Sequence, residues 1–130
     1  MAFDIYGIGG QLTHEMCLRF NVWKWNDVRL LLNEFNLFLI LDESLFMAND
    51  GYEIKGEKYY PLIKTVREIY DIEYIFNKSG KSWITSKLES LSEVRKYSKS
   101  PSYGAEGQLS MSDINLLYIL LGYHDGIKIN

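Results

Sequence analysis

One cysteine, Cys17, is all the chain carries, so no internal disulfide can form and a reducing compartment is the expected setting. Charge of a single sign is also missing. The 14 basic and 17 acidic residues are interspersed, for a net charge of −3. There is no basic stripe to hold a phosphate backbone, so direct nucleic-acid binding is not expected. Nor are there the long acidic runs that imitation of DNA would need. Apolar runs such as Leu37 to Leu41 fall far short of the roughly 20 residues needed to cross a bilayer, so no membrane partner is expected. No basic-then-apolar segment opens the sequence, and the expected location is cytoplasmic.

Catalytic signatures are equally scarce. The sequence contains no G-x-S-x-G elbow, no phosphate-cradling G-x-x-x-x-G-K-[ST] loop and no H-E-x-x-H helix. Gly7-Ile8-Gly9-Gly10 follows a predicted strand but lacks the third spaced glycine of a dinucleotide turn. His14, Cys17, His124 and Asp125 include too few Cys and His residues for a structural zinc site, so neither a metal nor any other cofactor is expected. A buried thiol and two surface imidazoles is the plainer reading. The carboxylates Asp42, Glu43, Glu53 and Glu57 read as solvated surface.

What the chain does have is apolar and aromatic material. Its 130 residues fit one domain, spanning 1–130, and at 47% hydrophobic they can build a real core. Ten tyrosines lead the aromatic set, and such rings commonly bury one end while wetting the hydroxyl.

The composition of residues 3–8 predicts a strand. A short helix is expected over 11–18, starting near Thr13, with Leu12, Met16 and Cys17 inward. Asn26-Asp27 opens a helix through Val28, Leu31, Leu32 and Phe35. The run 37–41 is either a buried strand or the end of that helix, since periodicity does not separate the two. Asn49-Asp50-Gly51 is a turn. Tyr59, Leu62, Ile63, Val66, Ile69 and Tyr70 fall on one helical face beginning near Pro61. Residues 72–76 either continue that helix or form a short strand.

Ser82 caps a further helix with Ile84, Leu88, Leu91 and Val94 inward, and residues 98–108 read as a loop. Ser110 with Asp113 starts a last helix, whose buried side holds Met111, Ile114, Leu117, Tyr118 and Leu121. Residues 127–129 form a closing strand. The expected fold class is α+β: three or four helices packed on a small sheet that pairs the N-terminal and C-terminal strands.

The segment Arg19-Phe20-Asn21-Val22-Trp23-Lys24-Trp25 is the most unusual stretch. If extended, it puts Trp23 and Trp25 on one face beside Asn21 and Arg19, an aromatic wall suited to a planar ligand. The competing reading makes both indoles core or interface anchors. Asn49 and Asp50 could place an amide and a carboxylate in a cleft, although a turn alone accounts for them.

Taken together, Phe3-Asp4-Ile5-Tyr6-Gly7, the tryptophan segment, Asn49-Asp50-Gly51 and the ending from Gly122 to Ile129 resemble a family of small uncharacterised bacteriophage and prophage proteins. That family opens with Met-x-Phe-Asp-[Ile/Val]-Tyr-Gly and continues into a segment like Phe-Arg-Asn-Asn-Val-Trp-x-Trp. This chain departs from it in the order of Arg19 and Phe20, in lacking the second Asn, and in carrying Asn26-Asp27 where Pro-Leu is expected.

The resemblance implies a phage accessory protein in a bacterial host cell, one that binds and inhibits or sequesters a host or defence component. The component would be a protein or a nucleotide-like small molecule. The resemblance also implies that Asp4, Tyr6, Asn21, Trp23, Trp25, Asn49 and Asp50 converge on one cleft; Arg19 joins this ligand- or partner-binding set by its place in the tryptophan segment. Two other classes stand beside this expectation. One is an immunity protein that neutralises a toxin. The other is a small enzyme using Asp4, Asn49, Asp50 or His124 as acid or base. No catalytic residue is assigned, and oligomeric state is left open.

Overall fold

The structure is a computed structural model that describes residues 2–10, 16–91 and 108–130. His14, Val94 and nearly all of the 98–108 loop lie outside the described residues, as do positions 11–15 of the expected short helix.

Alternation in the first strand sets the architecture. In β1 (Ala2–Ile8), Phe3, Ile5 and Gly7 are buried while Asp4, Tyr6 and Ile8 alternate with them on the other face. β1 pairs antiparallel with β2 (Cys17–Asn21) on one side and with β4 (Gly126–Ile129) on the other. β3 (Tyr52–Lys55) pairs with β4, giving a four-stranded antiparallel sheet of order β2-β1-β4-β3. The two ends of the sequence thus meet at the centre of the sheet, as expected. Residues 17 and 18 are strand rather than helix, and Cys17 is exposed rather than buried.

Phe3, Ile5, Phe20, Ile54, Ile127 and Ile129 turn inward and join one core with the helices. Five α-helices lie among the described residues: α1 (Val22–Glu34), the single-turn α2 (Glu43–Phe46), α3 (Tyr59–Asn77), α4 (Trp83–Leu91) and α5 (Met111–Tyr123). α1 and α5 lie against β1 and β2, and α3 packs on α4 and α5. The architecture is α+β.

Helix α1 starts earlier than Asn26-Asp27. Asn21, with extended backbone, accepts the Lys24 N–H through its side chain at 2.8 Å and nucleates the first turn at Val22. The helix ends where Asn36 turns left-handed, and the apolar run 37–41 becomes a 3₁₀ turn, Leu37–Leu39. Leu37 and Leu41 reach the core while Leu39 is 87% exposed, so the run is neither a buried strand nor the end of α1. Residues 72–76 continue α3.

Side chains cap the other helices too: Asp42 accepts the Leu45 N–H at the start of α2, and Ser82, as expected, accepts the Thr85 N–H at 3.1 Å at the start of α4. Ser110 and Asp113 form a reciprocal capping box on α5. Glu73, buried in α3, accepts the Ile84 N–H of α4 at 2.6 Å, so one helix caps the next. Removing that acceptor strands a buried donor. Glu73→Ala should therefore cost about 1.5–3 kcal/mol in urea denaturation, and Glu73→Gln, which keeps an acceptor, clearly less.

Candidate functional site

With the inner face of the sheet sealed by helices, the outer face carries none among the described residues, and most of its side chains are half-buried or exposed. Register decides which side chains meet there. Tyr6 sits opposite Cys17 on β2 and opposite Lys128 on β4, and Lys128 sits opposite Glu53 on β3. One row across the sheet therefore reads Cys17, Tyr6, Lys128, Glu53. The next row holds Arg19 opposite Asp4, and Asp4 and Asn130 exchange main-chain hydrogen bonds at 2.9 Å.

Asp4 and Arg19 form a two-pronged pair. Nε donates to Oδ1 at 2.8 Å and Nη2 to Oδ2 at 3.1 Å. Those hydrogen bonds hold the Asp4 carboxyl below its usual range and the Arg19 guanidinium above its own. Negative charge at Cys17, and next at Asp4, raises the pKa of the Tyr6 hydroxyl, which keeps its proton at neutral pH and can donate.

Glu53 is paired with Lys55 at 3.2 Å. Lys128 has no carboxylate within ion-pair distance among the described residues. Its Cε lies beside Gly51, 3.5 Å from where a Cβ there would stand. Tyr6, Gly7, Ile8, Glu53, Lys128 and Asn130 together line a shallow, open depression of about 390 Å³.

The residues singled out from the sequence divide. Asp4, Tyr6 and Arg19 come together on the outer face. Asn49, at φ +45°, donates from its side chain to the Ala2 carbonyl at 3.4 Å and holds the Asn49-Asp50-Gly51 turn beside β1 and β4, with Asp50 exposed. Asn21 is occupied as the cap of α1.

The aromatic wall does not form. Trp23 and Trp25 lie in a helix, where residues two apart point roughly 200° away from each other. Trp25 is 1% exposed, stacked on Phe46 at 4.5 Å and close to Phe3 and Phe20, with its indole N–H donating to the Phe46 carbonyl at 2.9 Å. Trp23 is 45% exposed on another side of α1. The single cleft implied by the resemblance is replaced by a sheet face without either indole.

Sequence reasoning missed Lys128 and Asn130 and set Glu53 aside as surface. The alternation Ile127-Lys128-Ile129 marks Lys128 as outward-facing. Only the register puts it beside Tyr6, and register is not written in any short stretch.

His124 is buried at 5% exposure, not at the surface. Its Nδ1 lies 2.8 Å from the Leu120 carbonyl, so Nδ1 carries the proton and donates it. Nε2 is buried and has no hydrogen-bond partner among the described residues. The ring lies flat over Gly7: a Cβ there would stand 2.3 Å from it. Asp125 accepts the Gly10 N–H at 3.1 Å, closing the turn below. Close by, the Tyr59 hydroxyl donates to the Leu121 carbonyl at 2.7 Å, and burial, with Asp125 next, raises its pKa. Among the described residues no group of three or more His, Cys, Asp or Glu side chains is placed to hold a metal ion. No described helix is long and apolar enough to cross a membrane.

Comparison with protein-family models, with curated proteins and with solved structures finds no match for this chain.

Proposed function

We propose that this is a binding protein that acts by occupancy rather than turnover and uses the outer face of its sheet to capture a partner. The reading follows the phage-accessory role implied by the sequence resemblance, in which capture inhibits or sequesters a host or defence component. The observation that carries it is the meeting of Tyr6 and Lys128 at a depression, with the Asp4–Arg19 pair in the next row, on a sheet face that no helix covers among the described residues. The Asp4–Arg19 pair holds the long Arg19 side chain against the sheet and so presents a more rigid surface. Rigid surfaces lose less entropy on binding. The one described histidine is packed against Gly7 and out of reach of that face, which argues against it as an acid or base there.

The test is retention of proteins and small molecules from bacterial lysate on the immobilised chain, compared with a Tyr6→Ala/Lys128→Ala chain of unchanged thermal midpoint. A species held by the first and lost by the second is the expected result. Equal retention by both, or multiple-turnover conversion of a retained molecule, overturns the proposal.

A further inference from the structure

We infer that the ligand of the outer face is a nucleoside phosphate, held with its phosphate at Lys128 and Tyr6 and its nucleoside along Ile8, Glu53 and Asn130. This rests on the reading of that face as a binding surface and goes further by naming what binds.

Charge pairing makes the first argument. On this face Asp4 is committed to Arg19 and Glu53 to Lys55, so Lys128 is the positive charge left without a carboxylate among the described residues. Tyr6 stands directly across from it on β1, with a hydroxyl that stays protonated. Directly paired residues on neighbouring strands have Cα atoms about 5.5 Å apart. An ammonium and a phenol so placed can share the oxygens of one phosphate, which offers three strong acceptors.

Mixed lining makes the second. The same depression is also lined by Glu53, whose second carboxylate oxygen is left to accept from hydroxyl and amino groups, by the polar Asn130 and by the apolar Ile8. A ligand complementary to all of these carries an anion at one end and a flat body with hydrogen-bond donors at the other. A nucleotide has that composition. Inorganic phosphate lacks the body, and an uncharged nucleoside lacks the anion.

Size makes the third. A volume of about 390 Å³ lies toward the lower end of the range for small-molecule sites. It suits one mononucleotide and leaves a nucleic-acid strand without the extended basic track it needs.

The experiment is amide-resolved NMR titration of the full chain with AMP, adenosine and inorganic phosphate as separate probes, at low and at high salt. AMP is expected to give saturable shifts confined to Tyr6, Ile8, Glu53, Lys128, Asn130 and their sheet neighbours, with tighter binding than either fragment and weakening by salt. Lys128→Met, whose side chain is exposed and whose fold should be intact, is expected to weaken AMP about tenfold, the scale of one charge-assisted hydrogen bond, and to leave adenosine unchanged. No saturable shift with AMP, shifts centred elsewhere, or equal affinity of AMP in the Lys128→Met chain overturns the assignment. If lysate retention depends on Tyr6 and Lys128 while AMP does not bind, the nucleotide assignment falls and the binding face stands. If both fail, both fall.

Discussion

Gly7→Ala is expected to destabilise the protein by about 3 kcal/mol, the upper end of the usual range for overpacking a core. The cause lies across from Gly7 rather than in its backbone. The His124 ring occupies the space a side chain would fill, at 2.3 Å from the position of a Cβ. An added methyl forces the ring away, which breaks the contact of Nδ1 with the Leu120 carbonyl and drags on the turn that leads into β4. His124→Ala alone should also destabilise, since it removes the ring and leaves a void above Gly7.

Combined, the two substitutions should cost clearly less than their sum, because the new methyl then enters the space the ring has left. A double-mutant cycle in urea reads this directly. A coupling of about 2 kcal/mol is expected. Strict additivity would show that the glycine is there for some other reason.

Trp25→Ala should have the largest effect of any single truncation among the described residues, about 3–5 kcal/mol. Trp25 heads the largest fully buried side chains and is the hub of an aromatic cluster with Phe3, Phe20 and Phe46. The ring thus ties β1, β2, α1 and α2 together. Its N–H also satisfies the Phe46 carbonyl, the last residue of α2. Against a total stability of about 5–15 kcal/mol for an ordinary domain, such a loss leaves a large unfolded fraction on warming. Trp25→Phe restores most of the packing but leaves that carbonyl unpaired, so it should fall between wild type and Trp25→Ala. Trp23→Ala, at a half-exposed position, should cost under about 1 kcal/mol. Thermal midpoints of the three variants check the order. Near-equal midpoints for Trp23→Ala and Trp25→Ala would contradict the packing described.

The contrast between those two indoles shows where the sequence was readable. Elements with a local cause could be found. The aromatic and β-branched composition of residues 3–8 marked β1, the face from Tyr59 to Tyr70 marked α3, and Ser110 with Asp113 marked the start of α5. Pairing of the first and last strands followed from there being few other partners. The tryptophan segment failed because Asn21 acts as a cap: one side-chain hydrogen bond to Lys24 turned an apparently extended stretch into a helix and separated the rings. β3 escaped notice because its four residues, Tyr52-Glu53-Ile54-Lys55, gain their identity from pairing with β4. The candidate site was half legible for the same reason. Asp4, Tyr6 and Arg19 sit in recognisable motifs, whereas Lys128 and Glu53 join them only through a register set by contacts distant in sequence.

The placement of β1 and β4 side by side also dictates an order of events during synthesis. Helices α3 and α4, with their short connection and the Glu73 cap, depend on neighbours close in sequence and can form while the chain is still being made. The sheet cannot. Its second central strand follows every other described element in the sequence, and until it is made the apolar faces of Ile5 and Ile54 have no strand between them. Loop closure over such a span is slow compared with helix growth. Until then β1 is paired with β2 alone, and its other edge stays open and prone to aggregation. Chaperone dependence should be concentrated in that interval and end when β4 docks.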